Sequence, residues 1–303
     1  MRVVFFGTPE VAAVALQALL ASHHEVIAVV TQPDRPSGRG RAPQASPVKA
    51  TAERAGILVL QPEDPKQESF AEQLRALRPD SLAVVAYGHI LAEHVLAIAP
   101  AVNAHFSLLP AYRGAAPVQR ALMAGETETG VTVFRLEPSV DSGPILRTAT
   151  VQINEADDAG SLLDKLAPIA ADTLIDALDA VAAGEPGHPQ DASKASPAPK
   201  IKPSDQVIDW SEPARAIVGR VRGLSPKPGA YTTYRGKRLL VRRASLADAP
   251  TDARTPGAID GTVVSAGEGA VELLEVQPEG KRRMTGEEFV RGYRPGTGTI
   301  LGE

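Results

Sequence analysis

The residues best suited to catalysis lie in one short segment, which reads Asn-Ala-His from position 103 to position 105. Alternate side chains of an extended strand point to the same face, so we expect Asn103 and His105 to lie side by side. Asp141 follows a later apolar stretch and could orient the imidazole of His105. An amide donor and a protonated histidine can stabilise the oxyanion of an acyl-transfer intermediate, and histidine can also move a proton at neutral pH. These three residues therefore predict acyl transfer.

The chain offers no cysteine, and no activated serine is evident near this segment, so direct transfer to an external amine fits better than an acyl-enzyme. A structural role for His105, with Asn103 as a turn residue, is the alternative. The other histidines lack the spacing of metal ligands, which predicts a protein without a metal site. The turn Phe6-Gly7-Thr8-Pro9 lacks the glycine fingerprint of dinucleotide-binding proteins, which disfavours such a cofactor.

The elements that must position these residues alternate between strands and helices, and this order predicts a doubly wound parallel sheet. Such sheets bind ligands beyond the carboxyl ends of their strands. Thr8 is predicted to cap the first helix, with Pro9 at its first position. The predicted strands cover residues 2–6, 25–30, 57–60, 81–86, 101–106 and 131–136. The predicted helices after the first cover about 48–55, 67–77 and 160–183.

Composition changes after this last helix, because residues 185–205 are rich in proline, glycine and serine. The pattern predicts a catalytic domain at 1–184, a semi-extended linker at 185–205 and a second domain at 206–303. One helix near 212–223 and several short strands predict a small antiparallel barrel there. A fragment that ends near residue 189 is expected to keep the folded sheet and its ligand cleft.

Charge differs between the two parts of the chain. Residues 1–205 contain 17 Lys+Arg and 24 Asp+Glu, whereas residues 206–303 contain 15 and 12, in a chain of net charge −4. The excess of positive charge favours a second domain that meets an anion, although a solvated surface is an equally good explanation. No apolar run approaches the length of a membrane span. The apolar stretch at the start of the chain is also too short for the core of a signal peptide. We therefore expect a cytoplasmic protein.

Several of these stretches carry a family resemblance. The chain resembles the methionyl-tRNA formyltransferase family along nearly its whole length. The matching stretches are FFGTPEVA (5–12), QPDRPSGRG (32–40), SPVK (46–49), VVAYGHIL (84–91), NAHFSLLPAYRGAAPVQRAL (103–122), ETGVTVF (128–134), DSGPIL (141–146), IDW (208–210) and QPEGKRRM (277–284). The SLLP block with its upstream Asn and His is typical of enzymes that use 10-formyltetrahydrofolate. The PDRPSGRG loop and the second domain single out this family.

The resemblance implies a Rossmann-like catalytic domain followed by an oligonucleotide-binding (OB-like) barrel. It implies transfer of the formyl group of 10-formyltetrahydrofolate to methionyl initiator tRNA, by a monomer without a metal. The catalytic residues that it implies are Asn103, His105 and Asp141. The residues expected to bind folate are Tyr87, Gly88, Ser107, Leu108, Leu109 and Pro110. The residues expected to bind tRNA are Arg39, Arg41, Lys49, Lys200 and Lys202, with the loop 33–47 entering the acceptor end and Arg39 as its main contact.

Three other functions stay open at this point. Another amine formyltransferase, which acts on a glycinamide nucleotide or an amino sugar nucleotide, would share residues 103–110 but would not need the arginine-rich loop. A formyltetrahydrofolate hydrolase would use water as the acceptor. An RNA-binding protein on a degenerate enzyme scaffold would not need the intact set of Asn103, His105 and Asp141.

Overall fold

The computed structural model describes residues 1–36, 43–248, 255–296 and 298–303. The chain divides into two compact units. The first comprises Met1–Pro117, Glu128–Gln152 and Leu163–Pro199, and the second comprises Val118–Thr127, Ile153–Leu162 and Lys200–Glu303. Within the described ranges, no helix is both long enough and apolar enough to span a membrane. The domain boundaries at residues 184 and 205, which the composition suggests, stay a prediction.

The elements up to residue 182 follow the predicted alternation. In chain order they are β1 (Arg2–Gly7), α1 (Glu10–Ala21), β2 (Glu25–Val30), β3 (Arg35–Pro36), β4 (Pro43–Gln44), α2 (Pro47–Arg54), β5 (Val59–Leu60), α3 (Glu68–Leu77), β6 (Ser81–Val85), α4 (Glu93–Leu96), β7 (Ala101–His105), α5 (Pro117–Ala124), β8 (Glu128–Arg135), β9 (Ile145–Gln152) and α6 (Ala159–Ala182).

The main sheet of the first unit has the strand order β5-β2-β1-β6-β7-β8-β9 among the described residues. The first five strands are parallel, which confirms the predicted Rossmann-like class. β8 and β9 are antiparallel to their neighbours. The sequence analysis did not predict β9. One face of this strand is polar, and the strand begins directly after a turn rather than within an apolar run. A short connection between β8 and β9 permits only an antiparallel pair.

The central strands β1 and β6 are buried on both faces, as their continuous apolar sequences predict. Every residue of β1 after Arg2 is buried, because helices cover both sides of a parallel sheet. Pro9, rather than Thr8, occupies the N-cap of α1, which corrects the predicted cap. The hydroxyl of Thr8 instead donates a hydrogen bond to the carbonyl oxygen of Tyr87, at 3.3 Å. Thr8 thereby ties the end of β1 to the turn after β6.

The second unit contains an antiparallel sheet that curls into half of a barrel, as predicted for an OB-like domain. Its elements are α7 (Ala214–Leu224), β10 (Ala230–Tyr234), β11 (Lys237–Leu246), β12 (Ile259–Asp260), β13 (Val263–Ser265), β14 (Ala270–Pro278), β15 (Met284–Thr285) and α8 (Gly286–Tyr293). β12 and β13 pair as an antiparallel hairpin. The core of this unit includes Trp210, Ile217, Val241 and Phe289, all nearly inaccessible to solvent.

The proline-rich segment 185–199 belongs to the first unit and is hydrogen-bonded to it. The backbones of His188 and Ile145 exchange two hydrogen bonds of 2.8 Å. The amide of Arg113 donates a hydrogen bond to the carbonyl oxygen of Ser196, and the amide of Ala198 donates one to the carbonyl oxygen of Arg113. The segment is extended, as its composition predicts, but it is bonded to the loop after β7 and to the residues between β8 and β9.

Candidate active site

A cleft of about 550 Å³ opens in the first unit beside β6 and β7. Its walls are formed by the residues after β6, by the end of β7 and by the connection between β8 and β9. The lining includes Tyr87, Gly88, Asn103, His105 and Asp141. The structure thus brings together the three predicted catalytic residues and two of the six predicted folate contacts. The location matches the carboxyl ends of parallel strands, where open α/β sheets bind their ligands.

One hydrogen bond of the His105 ring assigns the proton on one of its nitrogens. Its Nε2 lies 2.8 Å from the carbonyl oxygen of Tyr112, and its Nδ1 lies 3.6 Å from Oδ2 of Asp141. A carbonyl oxygen only accepts, so Nε2 must carry a proton in either charge state. In the neutral ring, Nδ1 therefore presents a lone pair to Asp141. In the imidazolium, Nδ1 presents an N–H group to it. The side chain of His105 is only 6% exposed, which keeps this arrangement away from bulk water.

Asp141 is positioned by both its side chain and its backbone. The amide of Gly114 donates to Oδ2 of Asp141 at 2.8 Å. The backbone of Asp141 has a φ of 49°, in the left-handed region that non-glycine residues rarely adopt. Nε2 of Gln190 donates to the carbonyl oxygens of Asp141 and Gly143, at 3.0 and 2.8 Å. Arg113 in turn donates to Oε1 of Gln190, at 3.1 and 2.6 Å. Two distant segments therefore hold the turn that presents the carboxylate.

Gln190 was missed by sequence reasoning, because it lies within the predicted linker and no local pattern marks it. Its contacts also correct the expectation for a fragment that ends near residue 189. Such a fragment would lose Gln190 and the backbone bonds of Ser196 and Ala198 to Arg113. The described residues that line the cleft all precede residue 142, so a fragment ending at residue 189 would keep them but would lack these supports of the turn at Asp141.

Tyr87 and Gly88 form a turn at one wall of the cleft. The carbonyl oxygen of Tyr87 accepts hydrogen bonds from Thr8 and from Nε2 of Gln32, at 3.3 and 2.9 Å. Gly88 has a φ of 85°, and a Cβ at this position would lie 2.6 Å from Nε2 of Gln32. The positive φ favours glycine here, and a side chain would also displace the amide of Gln32. Burial raises the pKa of the Tyr87 phenol to about 12, so this side chain is a neutral wall of the cleft.

The other four predicted folate contacts, Ser107 to Pro110, are absent from the described lining of the cleft. The hydroxyl of Ser107 donates to the carbonyl oxygen of Ala111 at 2.7 Å. The hydroxyl of Thr132 donates to the carbonyl oxygen of Ser107 and accepts from the amide of Leu109. These bonds fix the turn after β7 and so hold the end of the strand that carries His105. Direct folate contact by residues 107–110 stays a prediction.

Two exposed apolar side chains at the cleft were also missed. Ile90 and Val140 are 65% and 56% exposed, and both line the cleft. Ile90 follows β6, and Val140 lies immediately before Asp141. Apolar side chains beside buried polar groups are typical of a ligand site. The cleft therefore suits a partly apolar ligand with a polar reacting end.

The predicted tRNA contacts that the structure describes belong to both units. Nζ of Lys49 forms an ion pair of 2.6 Å with Asp34, in the first unit. That ion pair lowers the pKa of Asp34 and raises the pKa of Lys49. Lys200 and Lys202 are exposed residues of the second unit. Arg39 and Arg41 lie outside the described residues.

The chain matches two known protein families and many curated proteins. Residues 1–178 match the formyl transferase family, and residues 200–294 match the formyl transferase C-terminal domain. The methionyl-tRNA formyltransferase of Moorella thermoacetica is 45% identical over 310 residues, which cover 100% of this chain and 99% of that protein. The methionyl-tRNA formyltransferase of Streptomyces coelicolor is 47% identical over 313 residues and 100% of both chains.

Solved structures share the fold at low sequence identity. WlaRD, a sugar 3N-formyl transferase, superimposes with a TM-score of 0.70 at 16% identity, over 93% of this chain and 99% of that one. HypX from Aquifex aeolicus, in complex with tetrahydrofolic acid, gives a TM-score of 0.64 at 16% identity and covers all of this chain. This chain spans only 50% of the length of HypX.

Proposed function

The chain belongs to the methionyl-tRNA formyltransferase family, and we propose that it transfers the formyl group of 10-formyltetrahydrofolate to the amino group of methionine on initiator tRNA. The observation that carries this proposal is the meeting of Asn103, His105 and Asp141 in one cleft. The amide and imidazole are suited to a developing oxyanion, and neither is a nucleophile that must first be acylated.

In the proposed reaction, the uncharged amino group of the methionine attacks the formyl carbon. An α-amino group with a pKa near 8 leaves roughly a tenth of the amine uncharged at pH 7. A carbon–nitrogen bond forms while the formyl π electrons move onto oxygen, and Asn103 and His105 donate hydrogen bonds to that oxygen. Collapse of this intermediate breaks the bond to N10 of the folate, which leaves after it gains a proton. The amine loses one proton, so protons balance overall.

His105 and Asp141 have distinct roles in this scheme. The carbonyl oxygen of Tyr112 occupies Nε2 of His105, so Nδ1 is the nitrogen that is available to the substrate. The gap of 3.6 Å between Nδ1 and Asp141 is longer than a hydrogen bond. In the imidazolium form, the Nδ1 proton is therefore free to interact with a substrate oxygen or nitrogen. Asp141 orients the ring and is itself fixed by the amide of Gly114.

The folate donor is proposed to lie against the walls of the cleft. Tyr87, Ile90 and Val140 supply apolar surface for its aromatic parts. Gly88 keeps the turn beside them free of a side chain that would meet Gln32. HypX, which shares this fold, was solved with tetrahydrofolic acid, and this supports a folate ligand. The chemistry needs no metal ion, because Asn103 and His105 supply the electrophilic groups.

Recognition of tRNA is proposed to involve both units. Arg39 and Arg41 belong to the loop 33–47, which we propose inserts into the acceptor end. Lys200 and Lys202 belong to the second unit, whose sequence carries excess positive charge for phosphate contacts. Lys49 contacts tRNA in this proposal while its partner Asp34 holds it in place. We further propose that the protein acts as a monomer in the cytoplasm.

A transfer assay with labelled 10-formyltetrahydrofolate tests this function. The acceptors are charged initiator tRNA, charged elongator methionine tRNA and free methionine, and one reaction contains no acceptor. We expect rapid formylation of the charged initiator tRNA alone. Formate release that is equally fast without an acceptor would identify a hydrolase. Formylation of an amino sugar nucleotide or a glycinamide nucleotide, with none of methionyl-tRNA, would identify a different transferase.

A further inference from the structure

A second group of polar side chains lies in the first unit, outside the described lining of the cleft. His23 and His24 connect α1 to β2, and Asp179 lies near the carboxyl end of α6. Nε2 of His23 is 2.7 Å from Oδ1 of Asp179, and Nε2 of His24 is 3.5 Å from the same oxygen. One ligand atom from each of the three side chains lies within 4.8 Å of the other two. This convergence joins segments that are 156 positions apart in sequence.

His24 is the feature that a simple surface ion pair does not explain. Its side chain is only 1% exposed, and its Nε2 has no hydrogen-bond partner among the described residues. The separation of 3.5 Å from Asp179 meets a distance criterion for an ion pair but is poor hydrogen-bond geometry. A buried polar atom that lacks a good partner is costly, so it calls for a ligand on that side.

The group is open to solvent on one side. His23 and Asp179 are 64% and 49% exposed, so an ion can reach the three ligand atoms from solvent.

We propose that His23, His24 and Asp179 bind a zinc ion, with water as the fourth ligand. Two imidazoles and one carboxylate are a ligand set that zinc accepts in tetrahedral geometry. Ligand atoms about 2.0 Å from a tetrahedral zinc lie roughly 3.3 Å apart. The contact of His24 with Asp179 is close to this spacing, whereas the contact of His23 with Asp179 must lengthen by a small side-chain rotation.

The role of this ion is structural rather than catalytic. It would join the turn between α1 and β2 to the end of α6, two segments that also meet here through the ion pair of His23 with Asp179. A ligand that binds only the folded state stabilises that state. The site is therefore separate from the proposed formyl transfer, which needs no metal.

Calorimetric titration tests the site. The full-length protein is first freed of metal with a chelator and then titrated with zinc chloride. We expect one tight equivalent of zinc and a higher melting temperature with the ion. His23→Ala and Asp179→Asn should each weaken binding by at least about tenfold, because each removes one of three ligands. Both residues are exposed, so neither variant should disturb the core. His188→Ala, at an exposed histidine outside the group, is the matched control and should bind as the wild type does.

Cobalt(II) gives an independent readout, because a tetrahedral site produces intense visible absorption that an octahedral aqueous ion lacks. Wild-type protein should develop this absorption, and the His23→Ala variant should not. The proposal is overturned if the wild type binds no zinc equivalent, or if His23→Ala and Asp179→Asn bind zinc as tightly as the His188→Ala control. Either result would leave His23 and Asp179 as an ordinary ion pair. Because both readouts measure metal binding alone, they are independent of whether the protein formylates methionyl-tRNA.

Discussion

Nε2 of Gln190 donates a hydrogen bond of 3.0 Å to the carbonyl oxygen of Asp141, although the two residues are 49 positions apart. The same amide group reaches the carbonyl oxygen of Gly143, and its oxygen accepts from Arg113. The turn that presents the catalytic carboxylate is thus held by a segment whose composition resembles a linker. The docking of residues 185–199 therefore helps to define the geometry of His105 and Asp141.

We expect Gln190→Ala to lower kcat by about tenfold, because the turn at Asp141 loses two hydrogen bonds of about 1 kcal/mol each. The folate KM should change little, because Gln190 is not among the residues lining the cleft. Gln190→Glu is the sharper variant. It retains the size of the side chain and the acceptor for Arg113, but it cannot donate to either carbonyl oxygen. It should be at least as slow as Gln190→Ala.

Steady-state kinetics with a melting curve for each variant check this prediction. Gln73→Ala, at an exposed glutamine of α3, is the control and should retain full kcat. If Gln190→Glu had the kcat of the wild type, the hydrogen bonds that Gln190 donates to the Asp141 turn would not contribute to catalysis. A loss of melting temperature with unchanged kcat would assign Gln190 to stability alone.

Asn103→Ala and His105→Ala should each lower kcat by roughly 10²–10³, the usual effect of removing one oxyanion donor. Asp141→Asn should also lower kcat, because the amide group disturbs both the contact with His105 and the bond from Gly114. Single-turnover measurements on all three variants, with folate binding measured separately, check these values. Full turnover in either alanine variant would remove that residue from the mechanism. If Asp141→Asn weakened only folate binding, Asp141 would be a binding residue.

Ile90→Ala and Val140→Ala should raise the dissociation constant for folate by about three- to thirtyfold, because each loses apolar surface that the ligand would bury. The kcat at saturating folate should stay near the wild-type value, since neither side chain reaches the reacting atoms in this proposal. Fluorescence titration with a tetrahydrofolate analogue gives the constant. Leu58→Ala, at an apolar residue of similar exposure outside the described cleft lining, is the control. Equal affinities in all four proteins would place the folate elsewhere.

The carboxyl of Asp34 should titrate below its ordinary value of 3.8, because Lys49 and then Gln61 donate hydrogen bonds to it. A carboxyl whose pKa is lower in the folded state adds stability above its unfolded pKa. This stability is lost as the pH falls through the folded value. Lys49→Met should shift the titration of Asp34 back toward 3.8. Carbon-13 NMR of the aspartate carboxyls measures the titration of Asp34 in the wild type and in Lys49→Met. An unchanged Asp34 titration in Lys49→Met would contradict the ion pair in solution.

Arg39→Ala should lower kcat/KM for methionyl-tRNA by tenfold or more, about 1.4 kcal/mol or above. A guanidinium can hold a phosphate through two hydrogen bonds at once, so Arg39→Lys should recover only part of this loss. Folate affinity should not change. Lys66→Ala, at an exposed cation outside the loop 33–47, is the control. If Arg39→Ala formylated charged initiator tRNA at the wild-type rate, Arg39 would not have a dominant role in tRNA recognition.

Local patterns determined the class of the fold and the centre of the candidate site. The unbroken apolar run of β1 predicts a buried parallel strand, because both of its faces are covered. The spacing of Asn103 and His105 by two residues predicts a shared face, because side chains alternate along any strand. These inferences depend only on neighbouring residues, so they needed no tertiary structure. The full-length motifs likewise predicted the family that the comparisons show.

Tertiary structure alone decided which distant residues meet. The bond between Gln190 and Asp141, the ion pair of Lys49 with Asp34, and the approach of Asp179 to two histidines all join separate segments. No periodicity marks such residues, because each contact depends on how whole elements pack and on the direction of single side chains. The turn after β7 shows the same dependence, because Thr132 of β8 holds it through the carbonyl oxygen of Ser107 and the amide of Leu109.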